Sequence, residues 1–432
     1  MDDERSGSAP AHAGSRPARK GPYRDVVRTG SLKALRAGNR ARLLSLLREQ
    51  GAMHRAELAR HAGLSRSAVT AIVAELLAED LVVESTTAIP SAHPRDGRSG
   101  PLLTLNPRAG AAVGIDFSYD EVRIALADLA HTVLAERTCS IRPEQSWEQS
   151  LELATSVVQQ MLDEAGVQHE RVVGAGLGVP GPVDRNTQRI GLSSNSHAWV
   201  GAPAASELAA RLQMPVAIDN TAHLGCLAEL AWGSGVGVRD LVYLKLSTGI
   251  GSGIVVDGAL VRGSVGAAGE MGHVVLDSNG PLCRCGNRGC LEAYGGMPAI
   301  LNSIRLVLGA EATLDDAIAA ALGGHRPAIR LFADVGEIIG RALAGVVNVL
   351  NPSRIVVGGD LASAGDLLLG PMRDSVRRHA LAITGDVAKI VEGSFGRMAG
   401  ALGGVALVLQ DSSRLVQPAP NVPAVAANGA LA

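Results

Sequence analysis

Aromatic side chains are scarce in this sequence: three Trp, four Tyr and three Phe make up 2% of its 432 residues. Apolar residues nevertheless account for 47% of the chain, so Leu, Val, Ile and Ala have to fill its cores. The length exceeds that of one typical domain. We therefore expect two or three domains with aliphatic cores.

Cysteine is also rare, and an odd count of five does not suit a disulfide framework. This usage is typical of a reducing compartment. Residues 1–7 lack the apolar core that a secretory signal needs. The longest weakly polar run, residues 398–409, is much shorter than the roughly 20 residues that span a bilayer. We expect a cytoplasmic protein with no membrane partner.

The chain has little net charge, but the charge is unevenly distributed. Residues 1–110 hold 17 Lys and Arg against 11 Asp and Glu, a balance of +6. The remaining residues hold 23 against 31, a balance of −8. A basic head on an acidic body favours a polyanionic partner for the head, although a solvated basic face is the commoner cause of such a pattern.

The basic head has the pattern of a winged helix-turn-helix over residues 31–107. Residues 1–30, rich in Ser, Gly, Ala, Pro and Arg, are expected to form a disordered basic arm. Helical periodicity starts near Leu32, a second helix starts at Arg55, and a third covers residues 66–78 with Ser65 as its N-cap. Residues 81–85 and 101–105 alternate like two strands of a hairpin.

The third helix of the head has the features of a DNA recognition helix. Polar side chains project from its N-terminal half, the part that meets base edges. These are Ser65, Arg66, Ser67 and Thr70. In the hairpin, Arg95 and Arg98 are placed to reach phosphate or a minor groove. The alternative is a protein-interaction module with an ordinary polar face. The three-helix pattern with a basic wing favours double-stranded operator DNA as the partner.

The rest of the chain reads as a duplicated α/β body over residues 111–410. Three successive strands, a helix over residues 147–165 and a strand over residues 172–179 open its first half. A similar order of strands recurs after Leu241. The repeat indicates an actin-like, ribonuclease-H-like fold with a cleft between two halves, about 111–236 and 237–410. Residues 411–432 are expected to form a disordered tail.

Three of the five cysteines fall within eight residues of each other, and a histidine lies ten positions upstream of the first. The predicted metal ligands are His273, Cys283, Cys285 and Cys290. Three thiolates and one imidazole complete a tetrahedral Zn²⁺ shell, so the sequence predicts one structural zinc ion per chain. The alternative is three buried thiols beside an unrelated histidine.

Two runs of this chain resemble the signature of the ROK family, which unites bacterial sugar kinases and sugar-responsive repressors. They are Gly-Glu-Met-Gly-His at residues 269–273 and Cys-Arg-Cys-Gly-Asn-Arg-Gly-Cys-Leu-Glu at residues 283–292. The resemblance extends from the helix-turn-helix to about residue 410. It implies a set of sugar-binding residues: Asn195, Asn220, Glu270, His273 and Glu292. The alternative for Glu270 and Glu292 is that they only hold the metal loop.

The chain departs from the kinases of that family at two places. The family's first phosphate turn reads Asp-x-Gly-Gly-Thr, whereas residues 116–120 read Asp-Phe-Ser-Tyr-Asp. The family's catalytic Asp is replaced by Thr221, and a threonine hydroxyl does not accept a proton near pH 7. A register shift that brings Asp219 into this position remains the alternative.

The combined interpretation is a DNA-binding transcriptional regulator, a repressor, whose kinase-like body senses a sugar or sugar derivative and is not an enzyme. One winged helix covers only a half-site, so we expect a homodimer or a dimer of dimers. The competing hypotheses are a ROK sugar kinase with an added DNA-binding head and a zinc-stabilised scaffold that has lost its ligand.

Overall fold

The computed structural model describes residues 32–85, 101–191 and 199–410. Several of the sequence predictions lie outside these ranges: the basic arm over residues 1–30, the tail over residues 411–432, Arg95, Arg98 and Asn195. Within the described ranges, no helix is long and apolar enough to cross a bilayer.

The head has three helices and a small antiparallel sheet, which confirms the winged helix-turn-helix. Its elements are α1 (Leu32–Gln50), β1 (Met53–His54), α2 (Arg55–Ala62), α3 (Arg66–Ala78), β2 (Val82–Ser85) and β3 (Leu102–Leu105). The strand order is β1-β3-β2. The sequence prediction missed β1, because a strand of two residues is too short to show an alternating pattern.

The start of α3 is fixed by local chemistry. Gly63 adopts a left-handed conformation, with φ of +65°, and ends α2. The Ser65 hydroxyl accepts a hydrogen bond of 3.2 Å from the backbone N–H of Ala68 and caps α3. Val69 and Val73 are fully buried one turn apart. The apolar side of α3 therefore faces the head's core, and its first turn faces outward.

The first half of the body is a five-stranded sheet with helices packed on it. Its elements are β4 (Ala111–Phe117), β5 (Glu121–Asp128), β6 (Val133–Ser140), α4 (Trp147–Ala165), β7 (Val172–Val179), α5 (Ala204–Leu212), β8 (Val216–Asn220) and α6 (Thr221–Trp232). The strand order is β6-β5-β4-β7-β8. The first three strands are antiparallel, and the last two pairs are parallel.

The second half repeats this topology. Its elements are β9 (Leu241–Leu246), β10 (Ile250–Val256), β11 (Ala259–Val261), α7 (Leu291–Gly295), α8 (Met297–Leu308), α9 (Leu314–Leu322), α10 (Arg326–Leu350), β12 (Arg354–Gly358), α11 (Asp366–His379), α12 (Ala382–Gly385), β13 (Lys389–Glu392) and α13 (Ala399–Gln410). The strand order β11-β10-β9-β12-β13 matches that of the first sheet position by position. The predicted duplication and the actin-like fold class are confirmed.

The last helix, α13, returns to the first half and packs against its sheet and against α6. A methyl group on Gly114 would lie 1.7 Å from the Ala401 carbonyl oxygen, and one on Gly403 would lie 1.8 Å from that of Leu224. Only glycine allows the backbone of α13 to come this close to the backbones of β4 and α6. The helix also shares one apolar cluster with the head. The cluster contains Leu402, Val405 and Leu409 of α13 and, from the head, Leu43, Leu58 and Leu105.

Candidate functional site

A cleft of about 290 Å³ opens between the two halves of the body. The first half contributes the turn between β4 and β5, the turn over residues 180–182 and the first residues of α6. The second half contributes the turn between β9 and β10 and the loop that follows β11. Four predicted sugar-binding residues line this cleft: Asn220, Glu270, His273 and Glu292. The fold thus brings together groups that are up to 72 positions apart in sequence.

The four predicted metal ligands converge beside the cleft. The ligand atoms of His273, Cys283, Cys285 and Cys290 all lie within 4.8 Å of one another. Cys283 Sγ is 3.7 Å from His273 Nδ1, and Cys285 Sγ is 3.7 Å from Cys290 Sγ. Zinc–sulfur bonds of about 2.3 Å place the ligands of a tetrahedron about 3.8 Å apart. The cluster therefore has the donor set and the spacing of a closed tetrahedral metal site.

Backbone hydrogen bonds within the metal loop help to bring the four ligand atoms together. The N–H of Cys283 donates to the Asn287 carbonyl at 2.7 Å, and the N–H of Gly286 donates to the Cys283 carbonyl at 3.0 Å. Gly286 has a φ of +95°, which closes this tight turn. An isolated antiparallel β-bridge pairs Val275 with Cys290. The loop is thus folded back on itself around the four ligand atoms.

His273 belongs to both the metal cluster and the cleft. Its Nδ1 faces Cys283, so Nδ1 is the nitrogen that is placed to bind a metal. The residue also lines the cleft. A metal-bound imidazole carries its remaining proton on the other nitrogen, which is available to a second partner. Metal site and cleft consequently share one side chain.

The two acidic residues of the cleft differ in how they are held. Glu292 is 6% exposed and accepts a 3.0 Å hydrogen bond from the Ile250 N–H, with the Arg284 guanidinium 3.4 Å away. Among the described residues, nothing hydrogen-bonds to the Glu270 carboxylate. Burial raises the pKa of Glu270, which the nearby His273 and His223 only partly oppose. Glu270 is therefore a half-buried carboxyl that lacks a partner within the part of the chain that the structure describes.

Asn220 closes the opposite wall of the cleft. Its side-chain oxygen accepts from the Ala222 N–H at 2.7 Å and caps α6, and its amide donates to the Gly181 carbonyl at 2.9 Å. A primary amide has two N–H donors and two acceptor sites, so one of each remains. The side chain is fixed in orientation and can still bind a hydroxyl group.

Thr221 lines the cleft at the position where the family's kinases have their catalytic Asp. Asp219 does not take its place: its carboxylate lies 2.8 Å from His223 Nδ1 and 2.8 Å from Arg262 Nε, and it is not part of the cleft wall. Burial alone would raise the pKa of Asp219, but the hydrogen bond and charge of His223, together with Arg262, lower it. The register shift that would restore a base is thus not adopted.

On one side of the cleft, ion pairs connect the two halves of the body. Lys245 Nζ lies 3.6 Å from Asp116 Oδ2, and Arg123 lies 4.0 Å from Asp360 Oδ1. Asp360 also accepts a hydrogen bond from Ser247. Burial raises the pKa of Asp116 despite the opposing charges of Lys245 and Arg123. These contacts connect the first sheet to the second beside the cleft.

Sequence reasoning missed Lys245 and Arg284, which both line the cleft. Each had a signal in the sequence. Lys245 is the one charged residue of the otherwise apolar strand Leu241–Leu246, and Arg284 lies between two metal ligands. A cation in either place adds positive charge to a cleft that already contains two acids.

The outward side of α3 carries the four predicted DNA-contacting residues that the structure describes. Ser65, Arg66, Ser67 and Thr70 are all exposed. Ser65 is engaged as the cap of α3, and the Thr70 hydroxyl donates to the Arg66 carbonyl at 2.9 Å. Within the described ranges, no acidic group pairs with Arg66. Its guanidinium is therefore free to bind an external acceptor.

A winged helix-turn-helix head on a two-halved, kinase-like body with a cleft defines a class of protein, the DNA-binding regulators built on a sugar-kinase fold. The chain belongs to the ROK family, whose model matches residues 112–411, and the head matches the MarR family over residues 39–87.

Similarity to repressors covers most of the chain. It is 28% identical over 395 residues to the xylose repressor of Caldicellulosiruptor bescii, which covers 88% of this chain and 98% of that protein. The solved structure of a ROK family transcriptional regulator, a homologue of the Escherichia coli MLC protein, superposes with a TM-score of 0.75 at 26% identity, covering 88% of this chain and 98% of that one. A glucokinase of Thermotoga maritima is 34% identical over 247 residues, which cover 54% of this chain and 78% of the kinase. The chain is a DNA-binding transcriptional regulator of the repressor type.

The metal cluster generates a first testable prediction. Elemental analysis of carefully dialysed protein is expected to find about one metal ion per chain, because a closed three-thiolate, one-imidazole shell binds tightly. Cys285→Ser removes one ligand and should lower the metal content well below that of the wild type. Cys139→Ser, which changes a cysteine outside the cluster, should leave it unchanged. Metal-free wild-type protein would contradict the prediction.

Proposed function

We propose that the body of this repressor binds a sugar or sugar derivative in the cleft and that binding controls the affinity of the head for operator DNA. The ligand's hydroxyl groups would be bound by Asn220, Glu270, His273 and Glu292, with Asn195 as a fifth contact. Fixed carboxylates and amides are the acceptors and donors that a ring of hydroxyls requires. The relatives suggest D-xylose and D-glucose as the first sugars to test.

The observation that carries this proposal is the Glu270 carboxyl, which has no hydrogen-bond partner among the described residues and lies in the cleft beside the metal cluster. A half-buried carboxylate without a protein partner is an acceptor that a ligand hydroxyl can use. Glu270 lies three residues before His273, so the metal loop and this carboxyl are held as one unit. A preorganised acceptor of this kind favours ligand binding over a purely structural role.

The metal is proposed to be zinc, and its role structural. Thiolate and imidazole ligands in a tetrahedral arrangement suit Zn²⁺, and four protein ligands leave no open coordination position. An ion bound in this way contributes on the order of 10 kcal/mol to the folding of its loop. The zinc would hold the cleft in its binding geometry without contacting the ligand's reacting atoms.

The head is proposed to read DNA with the exposed first turn of α3. Ser65, Arg66, Ser67 and Thr70 would lie in the major groove, and Arg95 and Arg98 would contact phosphate or a minor groove. One head covers a half-site, so the acting form is a homodimer or a dimer of dimers. A change in the angle between the two halves of the body would then alter the spacing of paired heads. A protein that reads operator DNA in this way would act in the cytoplasm.

Phosphoryl transfer is the competing function, since a kinase is among the relatives. In addition, residues 247–253, from the turn after β9 into β10, are rich in glycine, as a phosphate-binding turn would be. Catalysis would need a base at Thr221 and open space for nucleotide phosphates. Thr221 is no base. The ion pairs Asp116–Lys245 and Arg123–Asp360 lie in the phosphate region, the surroundings of residues 116–120 that the family resemblance assigns to nucleotide phosphate. The structure therefore favours a sensor over an enzyme.

Removal of the cleft carboxyl should separate sensing from DNA binding. Glu270→Ala is expected to bind a labelled DNA fragment from upstream of the gene as tightly as the wild type, but to lose the response to sugar. The reason is that Glu270 lies in the cleft and not in the head. Fluorescence anisotropy with and without D-xylose or D-glucose measures both effects. Glu152→Ala, an exposed glutamate on α4, is the matched control and should respond normally. A full sugar response in Glu270→Ala would refute the assignment.

The recognition helix can be tested by its arginine. Arg66→Ala should weaken binding to the specific fragment by about 1–3 kcal/mol and leave binding to unrelated DNA nearly unchanged. Arg305→Ala removes an exposed arginine from the body and serves as the control. Unaltered specific binding in Arg66→Ala would exclude this residue from the DNA contact.

The enzymatic alternative is tested with ATP and a panel of common hexoses and pentoses. We expect turnover far below about 1 s⁻¹, the low end for kinases, because Thr221 offers no base at the position that the family resemblance assigns to the catalytic Asp. Thr221→Asp alone should not restore activity, since the ion pairs in the phosphate region persist in that variant. A ROK glucokinase assayed in parallel provides the positive control. Sugar-dependent ATP turnover at kinase rates would establish the competing function.

A further inference from the structure

His223 lies buried behind the cleft, outside the groups assigned to sugar or metal. It is 2% exposed and lies in the first turn of α6, and Asp219 lies near the end of the preceding strand, β8. Its Nδ1 is 2.8 Å from Asp219 Oδ1, and its Nε2 is 2.8 Å from the carbonyl oxygen of Ala268. Both ring nitrogens thus have a partner at hydrogen-bond distance.

The two partners determine the protonation state that satisfies both contacts. A carbonyl oxygen only accepts hydrogen bonds, and an ionised carboxylate only accepts them as well. A neutral imidazole has a single N–H and can make one of the two bonds, whereas the imidazolium makes both. The charged groups facing His223 are Asp219, with Arg262 behind it, and the Glu270 carboxyl. An imidazolium here is compensated by two carboxyl groups against one guanidinium.

The same network holds both ends of one loop. Arg262, where the loop begins, donates from Nε to Asp219 Oδ2 at 2.8 Å, and the N–H of Ala268 donates to the Arg262 carbonyl at 3.1 Å. The carbonyl of Ala268, where the loop ends, accepts from His223. Residues 262–268 are therefore attached at both ends to the Asp219–His223 pair, which belongs to the other half of the body.

Glu270 follows this attachment directly. The carbonyl of Gly269 accepts from the Ser252 N–H at 2.9 Å and from its hydroxyl at 2.8 Å. Gly269 has a φ of +95°, and a Cβ there would lie 2.1 Å from the Ser252 carbonyl oxygen. Consecutive carbonyls, those of Ala268 and Gly269, are thus fixed from opposite sides. The position of the Glu270 side chain depends on both.

We propose that His223, charged and held by Asp219, is a positioning residue that fixes the Glu270 loop across the cleft and thereby sets sugar affinity. This inference rests on the proposed sugar-sensing function, although its first test does not. His223 does not touch the ligand. It acts through the Ala268 carbonyl, which accepts from its Nε2. Loss of that hydrogen bond should therefore loosen the loop and lower sugar affinity.

Two substitutions separate the hydrogen bond of His223 to Asp219 from its hydrogen bond to Ala268, because each variant can keep only one of them. The amide nitrogen of glutamine in His223→Gln reaches the position of Nε2 and can still donate to Ala268. The shorter His223→Asn reaches only the position of Nδ1 and keeps the Asp219 contact. Hydrogen exchange of residues 263–271 at a fixed pH, without sugar, should be nearly that of the wild type in His223→Gln and clearly faster in His223→Asn. Equal protection in all three proteins would overturn the proposal.

Sugar binding provides the second readout. His223→Asn should lower the affinity for the responding sugar about tenfold, as expected for a lost hydrogen bond to a charged group, and His223→Gln should recover most of it. Equal sugar affinities in His223→Asn and His223→Gln would also refute the proposal. Wild-type protein that binds no sugar would instead contradict the proposed function, and the exchange measurement would still decide the role of His223. Unaltered DNA binding shows that each variant is folded.

Discussion

The close approach of α13 to the first sheet is the constraint on which the rest of the structure depends. Gly114 and Gly403 allow backbone atoms to meet where any side chain would collide. This packing holds α13 against α6, and α6 begins at Thr221 in the cleft wall. The far end of α13, at Leu409, belongs to the apolar cluster that also contains head residues. The cleft and the head are therefore joined through one tightly packed helix pair, and a shift of α6 cannot be absorbed without moving α13.

Charged residues of the two halves of the body pair with each other on one side of the cleft. The pairs are Asp116 with Lys245 and Arg123 with Asp360. Burying such pairs is costly, and the raised pKa of Asp116 reflects that desolvation. Contacts of this kind are worth retaining if they set the angle between the halves, since this angle is the quantity that a ligand in the cleft would change.

The opposite side of the cleft, with Glu270 and Glu292, is formed by an ordered loop. The metal cluster fixes His273 and the start of α7, where Glu292 is bonded to the Ile250 N–H. The Asp219–His223 pair fixes the other approach to the cleft, ahead of Glu270. Two independent anchors thus flank one carboxyl that has no partner among the described residues. This arrangement explains how a surface loop can present a half-buried acceptor with little freedom to relax.

The sequence by itself determined several of the elements and the clustering of His273 with three cysteines. Helix α4 starts and ends at the predicted residues because Ser146 caps it and Gly166 ends it, and these are local signals. The spacing of Cys283, Cys285 and Cys290 likewise encodes their convergence within one short loop. Only the tertiary structure decided the roles of Asp219 and His223, because their partners, Arg262 and Ala268, lie about 40 residues away in the other half of the body. The same holds for Lys245 and Asp116, whose pairing across the cleft requires both sheets to be in place. Periodicity and spacing report neighbours along the chain, whereas charge pairing across a cleft depends on how two separately formed sheets are packed.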